Sequence, residues 1–294
     1  MQPALTRLRL PGAGVLDLTR PRVMGILNVT PDSFSDGGRF DDPGRAAEHA
    51  ARMVDEGAAL IDVGGESTRP GATPVPLEEE LRRVLPVVSR LARELPVPLS
   101  VDTSQPAVMR AAVGAGASLV NDVRALSRPG ALATAVELGV PVCLMHMQGE
   151  PASMQAAPSY PGGVLAAVRA FLAARVAECR AAGLAPGQLL LDPGFGFGKT
   201  LEHNLALLDG LGALAELGPP LLVGLSRKSM LAAILGPRRA TAEARLHAGV
   251  AAAVVAVRHG ARVVRTHDVA ATVAALALCA ALEDDNAGVA DDGT

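Results

Sequence analysis

Eight short apolar segments recur along the 294-residue chain, and longer stretches with helical periodicity separate them. Most of these segments are β-branched or leucine-rich without alternation, which is typical of parallel strands buried on both faces. They lie at residues 23–27, 60–63, 99–101, 119–120, 142–145, 189–191, 221–223 and 263–264. Eight strands alternating with helices predict an α/β fold, a (β/α)8 TIM barrel, with a doubly wound open sheet as the alternative.

The stretches between the strands carry amphipathic helical patterns. The main ones lie at residues 43–56, 77–94, 106–115, 163–182, 201–217, 240–259 and 269–282. Before the first strand, two apolar runs flank the turn at residues 11–14, which predicts an N-terminal β-hairpin over the barrel's N-terminal mouth. The predicted organisation is therefore a hairpin segment (residues 1–22), a barrel (23–282) and an acidic, disordered tail (283–294).

Composition excludes several classes of partner. The net charge is −3, and because the tail holds five acids the body is near neutral, without a basic face for nucleic acid. Cys143, Cys179 and Cys279 are scattered, which argues against a disulfide framework or a zinc site. The uncharged, largely apolar run at residues 269–282 has 14 residues and is too short to cross a membrane. Since no signal peptide is evident, we expect a soluble cytoplasmic protein.

Polar or ionisable residues close every predicted strand. They are Asn28, Asp62, Asp102, Asn121 with Asp122, His146, Asp192, Ser226 with Arg227 and Lys228, and Arg265 with His267. A single such residue is well explained as a helix N-cap. Because all eight strands end this way and the strand ends of a barrel converge on one face, the pattern predicts a shared site.

Two long loops add candidates for substrate contact. The loop at residues 28–38 is long for its position and carries Phe34, so it is typical of a lid, with a solvated loop as the alternative. The loop at residues 62–71 contains Thr68 and Arg69, which are suited to donate to an anion. An ordinary surface arginine is the alternative for Arg69.

The glycine-rich segment at residues 192–200 resembles two phosphate-binding motifs and satisfies neither. A Walker A motif needs glycine where Pro193 stands, and a dinucleotide fingerprint needs glycine where Lys199 stands. The segment therefore predicts a flexible glycine turn beside the carboxylate of Asp192. Lys199 and Lys228 are the only lysines, against twenty-five arginines, which suggests positions where only a compact ammonium fits.

The candidates divide into two sets by chemistry. Carboxylates and amides at strand tips suit a flat heterocycle such as an aminopyrimidinone, with Lys228 on a ring carbonyl or an acid; this set is Asp102, Asn121, Asp192 and Lys228. Cationic and amide groups suit a diphosphate, with Mg²⁺ at Asn28; this set is Asn28, Thr68, Arg69, Arg265 and His267. A structural histidine is the alternative for His267.

Eight segments of the chain together resemble the dihydropteroate synthase family. They are residues 24–38, 62–71, 100–103, 121–123, 144–146, 192–199, 226–228 and 265–268, and they occur in the family's order. The resemblance covers the chain from about residue 23 to 282. Gln105 is one departure, because relatives often carry lysine there, and we expect little consequence.

The resemblance implies a (β/α)8 barrel, usually a homodimer, and a transferase of folate biosynthesis that sulfonamides inhibit. The implied reaction joins 4-aminobenzoate to 6-hydroxymethyl-7,8-dihydropterin diphosphate, with release of pyrophosphate. The implied pterin pocket is Asp102, Asn121, Met145, Asp192 and Lys228. The implied diphosphate and Mg²⁺ contacts are Asn28, Arg69, Arg265 and His267. The implied aminobenzoate pocket is Phe34, Thr68, Pro70, Phe197 and Ser229. The residues expected to carry the chemistry are Asp102, Asp192, Lys228, Arg265 and His267.

Three other functions stay open on the residues alone. A pterin-dependent methyltransferase barrel shares the acids and the amide but needs no diphosphate clamp. A Schiff-base aldolase uses Lys228 as the nucleophile. A paralogue binds the pterin without turnover. The wide Ala/Val faces of the last two helices suit core packing and, as a second use, a dimer contact.

Overall fold

Eight parallel strands close into a single barrel. The computed structural model describes residues 6–30, 43–67 and 71–291, with side chains through residue 282. Around the barrel the strands follow chain order, and the last of them pairs with the first. The (β/α)8 prediction is confirmed, and the closed ring rules out the open doubly wound sheet.

The strands and helices alternate along the described chain. The hairpin strands are β1 (Arg7–Leu10) and β2 (Gly14–Asp17). The barrel strands are β3 (Arg22–Asn28), β4 (Leu60–Gly64), β5 (Leu99–Asp102), β6 (Leu119–Asp122), β7 (Val142–Met145), β8 (Leu189–Asp192), β9 (Leu221–Gly224) and β10 (Ala261–Thr266). The helices are α1 (Pro43–Asp55), α2 (Leu77–Glu94), α3 (Pro106–Gly114), α4 (Ala131–Leu138), α5 (Val164–Ala181), α6 (Leu201–Asp209), α7 (Leu211–Ala215), α8 (Ser229–Leu235), α9 (Ala242–Arg258) and α10 (Val269–Asp291).

The two-residue period of the strands explains how apolar runs build a polar site. Residues such as Ile61 and Val63 on β4 point outward into the large core beneath the helices. Leu60 points inward, and Asp62, two residues further along, occupies the next inward layer. The barrel interior therefore changes from apolar at its N-terminal end to polar at its C-terminal end.

The N-terminal hairpin closes the apolar end of the barrel, as its sequence predicted. Its four inward leucines, Leu8, Leu10, Leu16 and Leu18, pack with the inward residues at the beginnings of the strands. Leu18 is fully buried although it follows the end of β2. The hairpin thus excludes water from the end of the barrel opposite the polar layer.

The helical predictions needed three corrections. Helices α4 and α8 were not among the predicted stretches, since they have only eight and seven residues. The stretch at residues 201–217 divides at Gly210, where a side chain would meet Leu165 of α5 at 2.5 Å. The helix predicted to end at residue 282 continues to Asp291, so most of the predicted disordered tail is helical. No proline interrupts this segment, and a helix already formed extends at one hydrogen bond per residue.

None of the helices in the described ranges has the length and apolar character needed to cross a membrane.

Candidate active site

A network of acids, an amide and one arginine lies inside the C-terminal end of the barrel. Arg265 on β10 donates through Nε to Asp62 Oδ2 on β4 at 2.6 Å and through Nη2 to Asp102 Oδ2 on β5 at 2.9 Å. Asn121 on β6 donates to the same Asp62 oxygen at 3.0 Å. Four strands are joined by this network, with the guanidinium reaching past β3, which lies between β10 and β4.

Burial makes the network sensitive to charge. Asp62 is 0% exposed, and Arg265 retains 19% of its side-chain surface. Burial raises the pKa of Asp102 to about 7, against the attraction of Arg265 and with the repulsion of Asp62. Burial lowers the pKa of Arg265, but Asp62 and Asp102 outweigh it and hold that pKa above its ordinary value. The guanidinium therefore stays charged, and its charge keeps the two acids together.

Asp192 and Lys228 border the same polar end of the barrel. This concave space, bordered by Asp102, Asn121, Asp192 and Lys228, is called the cup below. Burial raises the pKa of Asp192, while the hydrogen bond from Gly194 N (2.7 Å to Oδ1) and the charges of Lys228 and Arg265 oppose that rise. Lys228 Nζ lies 4.3 Å from the centre of the Phe197 ring, a cation–π contact. Phe197 belongs to a small apolar cluster with Met145, Val123 and Met154. These residues give the cup one apolar wall.

The glycine turn after β8 is shaped by the loop that follows β7. A methyl group on Gly194 would overlap the carbonyl oxygen of His146, and one on Gly198 would lie 2.5 Å from the carbonyl oxygen of Gln148. Both glycines also have positive φ, at 69° and 64°. Close packing of the two backbones therefore explains why glycine stands at these positions, and binding of a nucleotide phosphate is not needed to explain it.

The turn that the sequence predicted to be flexible is held at four carbonyl groups. Lys199 Nζ donates to Gly194 O at 2.9 Å and to Phe197 O at 3.0 Å. Gln155 donates to Gly196 O, and Tyr160 Oη donates to Gly198 O at 2.8 Å. The position of Phe197 in the apolar wall therefore depends on the side chains of Lys199, Gln155 and Tyr160, which hold the backbone of its turn.

The remaining polar strand ends lie around the rim. The Ser226 hydroxyl lies 3.1 Å from His267 Nδ1 and accepts from the His267 amide at 3.2 Å. Arg227, at φ 58°, pairs with Asp268 at 2.7 Å, which ties the turn after β9 to the turn after β10. Ser229 is exposed at the first position of α8.

Asn28 lies across Gly64 from the acid network. A methyl group on Gly64 would lie 3.7 Å from Asn28 Oδ1 and 3.4 Å from Asp102 Cβ, so both side chains border one small space. Among the residues described, no group of three or more His, Cys, Asp or Glu is arranged to hold a metal. Mg²⁺ commonly takes one or two protein oxygens and completes its shell with water and substrate phosphate, so a carboxamide oxygen at this place fits it.

Comparison with known proteins decides the family. The sequence profile described as pterin binding enzyme matches residues 24–267. The chain belongs to the pterin-binding enzyme family. The dihydropteroate synthase of Escherichia coli K12 is 53% identical over 263 residues, which are 89% of this chain and 91% of that protein.

Solved structures place this family member among dihydropteroate synthases. The Yersinia pestis enzyme, in a sulfonamide drug complex, superposes with a TM-score of 0.89 at 51% identity and covers 95% of this chain and 99% of its own. The Xanthomonas albilineans enzyme with 4-aminobenzoic acid gives a TM-score of 0.87 at 50% identity and covers 95% and 98%. A second Xanthomonas albilineans complex contains 7,8-dihydropteroate.

The structure gathers the predicted residues that it describes, with one rearrangement. Asp102, Asn121, Met145, Asp192, Phe197 and Lys228 border one cup, and Asn28, Ser229 and His267 lie at its edge. Arg265, predicted to belong with the diphosphate contacts, lies against Asp62 and Asp102, so the two predicted sets share this residue. Phe34, Thr68, Arg69 and Pro70 lie outside the described residues, and their roles stay predictions.

Sequence reasoning left two central residues without a role. Asp62 appeared in the strand-end pattern, yet it lies two residues before the end of β4 and anchors both Arg265 and Asn121. Lys199 was noted for its rarity only. Its contacts run to backbone carbonyl groups, which a sequence does not reveal.

Proposed function

We propose that this chain condenses 6-hydroxymethyl-7,8-dihydropterin diphosphate with 4-aminobenzoate to give 7,8-dihydropteroate and pyrophosphate, a transfer step of folate biosynthesis. The observation that carries the proposal is the single cup in which Asp62, Asp102, Asn121 and Arg265 form one network beside Asp192 and Lys228. Relatives about 50% identical, dihydropteroate synthases by name, support it, as do solved complexes with 4-aminobenzoic acid and 7,8-dihydropteroate.

The pterin ring is assigned to the floor of the cup. Its N–H groups face the carboxylates of Asp102 and Asp192, and its ring acceptors face the Asn121 amide and the Lys228 ammonium. Met145 supplies an apolar surface for the flat ring. Arg265, already bound to two acids, presents its remaining N–H groups toward the rim side of the ring.

The proposed reaction depends mainly on stabilisation of the charges that develop as the bond breaks. The bond between the pterin CH₂ and the diphosphate oxygen breaks, and its electron pair leaves with pyrophosphate. The ring nitrogens delocalise the positive charge left on the carbon, and the buried carboxylates of Asp102 and Asp192 stabilise it. The arylamine nitrogen then forms the new C–N bond and loses a proton to solvent.

The leaving diphosphate is assigned to the rim. Arg265 and His267 from β10 and the turn after it, with Arg69, balance the negative charge as it develops. Asn28 would hold Mg²⁺, which supplies positive charge to the diphosphate oxygens when bound. No side-chain nucleophile is needed, so Lys228 acts by its charge in this scheme.

The 4-aminobenzoate is assigned to the wall that carries Phe197 and Ser229. The aromatic ring of the substrate packs on Phe197, and the exposed Ser229 hydroxyl is available to its carboxylate. Phe34, Thr68 and Pro70 of the first two loops complete this pocket in the proposal.

The proposal includes a cytoplasmic homodimer. Support comes from large apolar side chains exposed on the last three helices, namely Ile234 on α8, Val255 on α9 and Leu278 on α10, the last 62% exposed. A cluster of such residues on adjacent helices is typical of a subunit interface. Sedimentation of the wild type and of Leu278→Asp tests it, with a monomeric wild type as the contrary result.

One assay tests the reaction. Pyrophosphate release is measured with both substrates, with and without Mg²⁺ and with a sulfonamide. We expect release only when both substrates and Mg²⁺ are present, and inhibition by the sulfonamide. Asp192→Asn should abolish most of the release, whereas Asp55→Asn, an exposed acid at the end of α1, should not alter it.

Other outcomes point to the other functions. Pterin binding without pyrophosphate release indicates a non-catalytic paralogue. Binding of methyltetrahydrofolate without release indicates a methyltransferase, and borohydride trapping of a carbonyl substrate on Lys228 indicates an aldolase.

A further inference from the structure

We propose that Lys199 is a positioning residue that sets Phe197 and Asp192 in the site by tying the glycine turn after β8 to the end of β7. The proposal rests on the proposed function for its kinetic test, although its geometry does not. Lys199 touches neither proposed substrate pocket. It acts through the backbone that positions Phe197 and Asp192, which do border those pockets.

Four acceptors converge on one ammonium group. Lys199 Nζ lies 2.9 Å from Gly194 O, 3.0 Å from Phe197 O, 3.0 Å from His146 Nδ1 and 3.4 Å from His146 O. Lys199 is only 3% exposed. A buried cation is stable only where hydrogen-bond acceptors replace its water, and this shell does so.

The geometry explains why lysine stands here in a chain that otherwise uses arginine. The acceptors surround a single nitrogen, which suits three donors on a compact ammonium. A planar guanidinium spreads five donors over three nitrogens and needs more room than the packed turn leaves. The same reasoning predicts that arginine will not replace Lys199.

Two contacts carry the position of Lys199 into the site. Gly194, whose carbonyl Lys199 holds, donates its amide to Asp192 Oδ1 at 2.7 Å. Phe197, whose carbonyl Lys199 also holds, places its ring 4.3 Å from Lys228 Nζ. A shift of the turn therefore moves one acid and one wall of the cup together.

The charge of Lys199 is set by its burial and by the charged groups that face it. Burial lowers the pKa of Lys199 to about 7, with Lys228 acting in the same direction and Asp192 opposing it. Burial, with a contribution from Lys199, lowers the pKa of His146 to about 3, so its ring is neutral and accepts on Nδ1. The three neighbours that bear on Lys199 are thus His146, Asp192 and Lys228.

The chain supplies its own reporter for this turn. Tyr160 is the one tyrosine, and the sequence contains no tryptophan. Its hydroxyl donates to Gly198 O at 2.8 Å, and its ring lies edge-on to His203 at 4.9 Å. Tyrosine fluorescence therefore comes from one residue that is bonded to the turn itself.

The test compares Lys199→Met, Lys199→Gln and Lys199→Arg with Val88→Ala, a buried substitution on α2 on the other side of the barrel. We expect a loss of about 100-fold in kcat/KM for the three Lys199 variants, the size expected for a displacement of about 1 Å. Most of it should lie in KM for 4-aminobenzoate. Acrylamide quenching of Tyr160 should increase in the free protein, while Val88→Ala loses thermal stability with unchanged KM and quenching.

Several results would overturn the proposal. Near wild-type kinetics in Lys199→Met would overturn it, and so would full activity in Lys199→Arg. It would also be overturned if Val88→Ala changed KM and Tyr160 quenching as much as the Lys199 variants. If Lys199→Met and Lys199→Gln both fail to fold while Val88→Ala folds, the role is in folding alone. A wild type without pyrophosphate release defeats the proposed function instead, and the quenching of Tyr160 then still decides whether Lys199 holds the turn.

Discussion

Replacing Asp62 by asparagine tests the acid network at its centre. Asp62 is fully buried, and one of its oxygens accepts from both Arg265 and Asn121. Asparagine keeps the shape and one acceptor oxygen but removes the charge. Arg265 then keeps its ion pair with Asp102, while Asp192 acts on its charge without a direct ion pair.

The expected magnitude follows from these contacts. A hydrogen bond to a charged group contributes about 1.5–3 kcal/mol and a neutral one about 0.5–1.5, so two weakened bonds lose about 2–3 kcal/mol in all. Removing Arg265 as Arg265→Met leaves two buried acids without their cation, at about 3–5 kcal/mol. Because both changes act on the same bond between Asp62 and Arg265, the double variant should lose about 1–1.5 kcal/mol less than the sum of the single variants.

Urea unfolding of the protein without substrates gives the free energy of unfolding of Asp62→Asn, Arg265→Met and the double variant. Asp55→Asn serves as a control, because it also neutralises an acid but lies exposed at the end of α1. Dissociation constants for the pterin provide a second readout, and we expect Asp62→Asn to weaken binding about tenfold, which corresponds to about 1.4 kcal/mol.

Additive losses would refute the reasoning. If the double variant equals the sum of the single variants within about 0.5 kcal/mol, then Asp62 and Arg265 do not interact energetically. A loss in Asp62→Asn no larger than in Asp55→Asn would show that the buried network contributes little to stability.

Three further predictions concern the turn, the acids and the hairpin. Gly194→Ala should lose about 2–4 kcal/mol in urea unfolding, because its methyl meets His146 O at positive φ, whereas Gly187→Ala, with open space around it, should stay within about 0.5. Pterin affinity should rise with pH through about 7 as Asp102 ionises, and titrations of Asp102→Asn should lack this rise. Leu18→Ala should lower the free energy of unfolding by about 2–5 kcal/mol without changing KM, since Leu18 closes the far end of the barrel.

Much of the fold was predictable because its signals are local. The strand runs are short, apolar and regularly spaced, and β7 and α2 match their predicted bounds. The polar strand ends predicted the shared site, since parallel strands must place those ends on one face. Helices α4 and α8 escaped prediction because helices of eight and seven residues make about two turns, too few to show a clear amphipathic period.

The site was predictable in its membership and not in its pairings. Asp102, Asn121, Asp192, Lys228 and Arg265 were all named from the sequence, and the structure brings them together. The hydrogen bonds of Arg265 and Asn121 cross the barrel to residues more than 50 positions away, as in the bond from Asn121 to Asp62. Local periodicity carries no information about such contacts.

By itself, the order of residues determined the barrel, the hairpin beneath it and the set of polar groups at its rim, since backbone period and burial act over a few residues at a time. Only closure of the barrel decided that Arg265 lies between Asp62 and Asp102, and that Lys199 ties its own turn to His146 at the end of β7. A buried charge takes whichever acceptors the folded backbone brings within reach, and that choice is made in three dimensions.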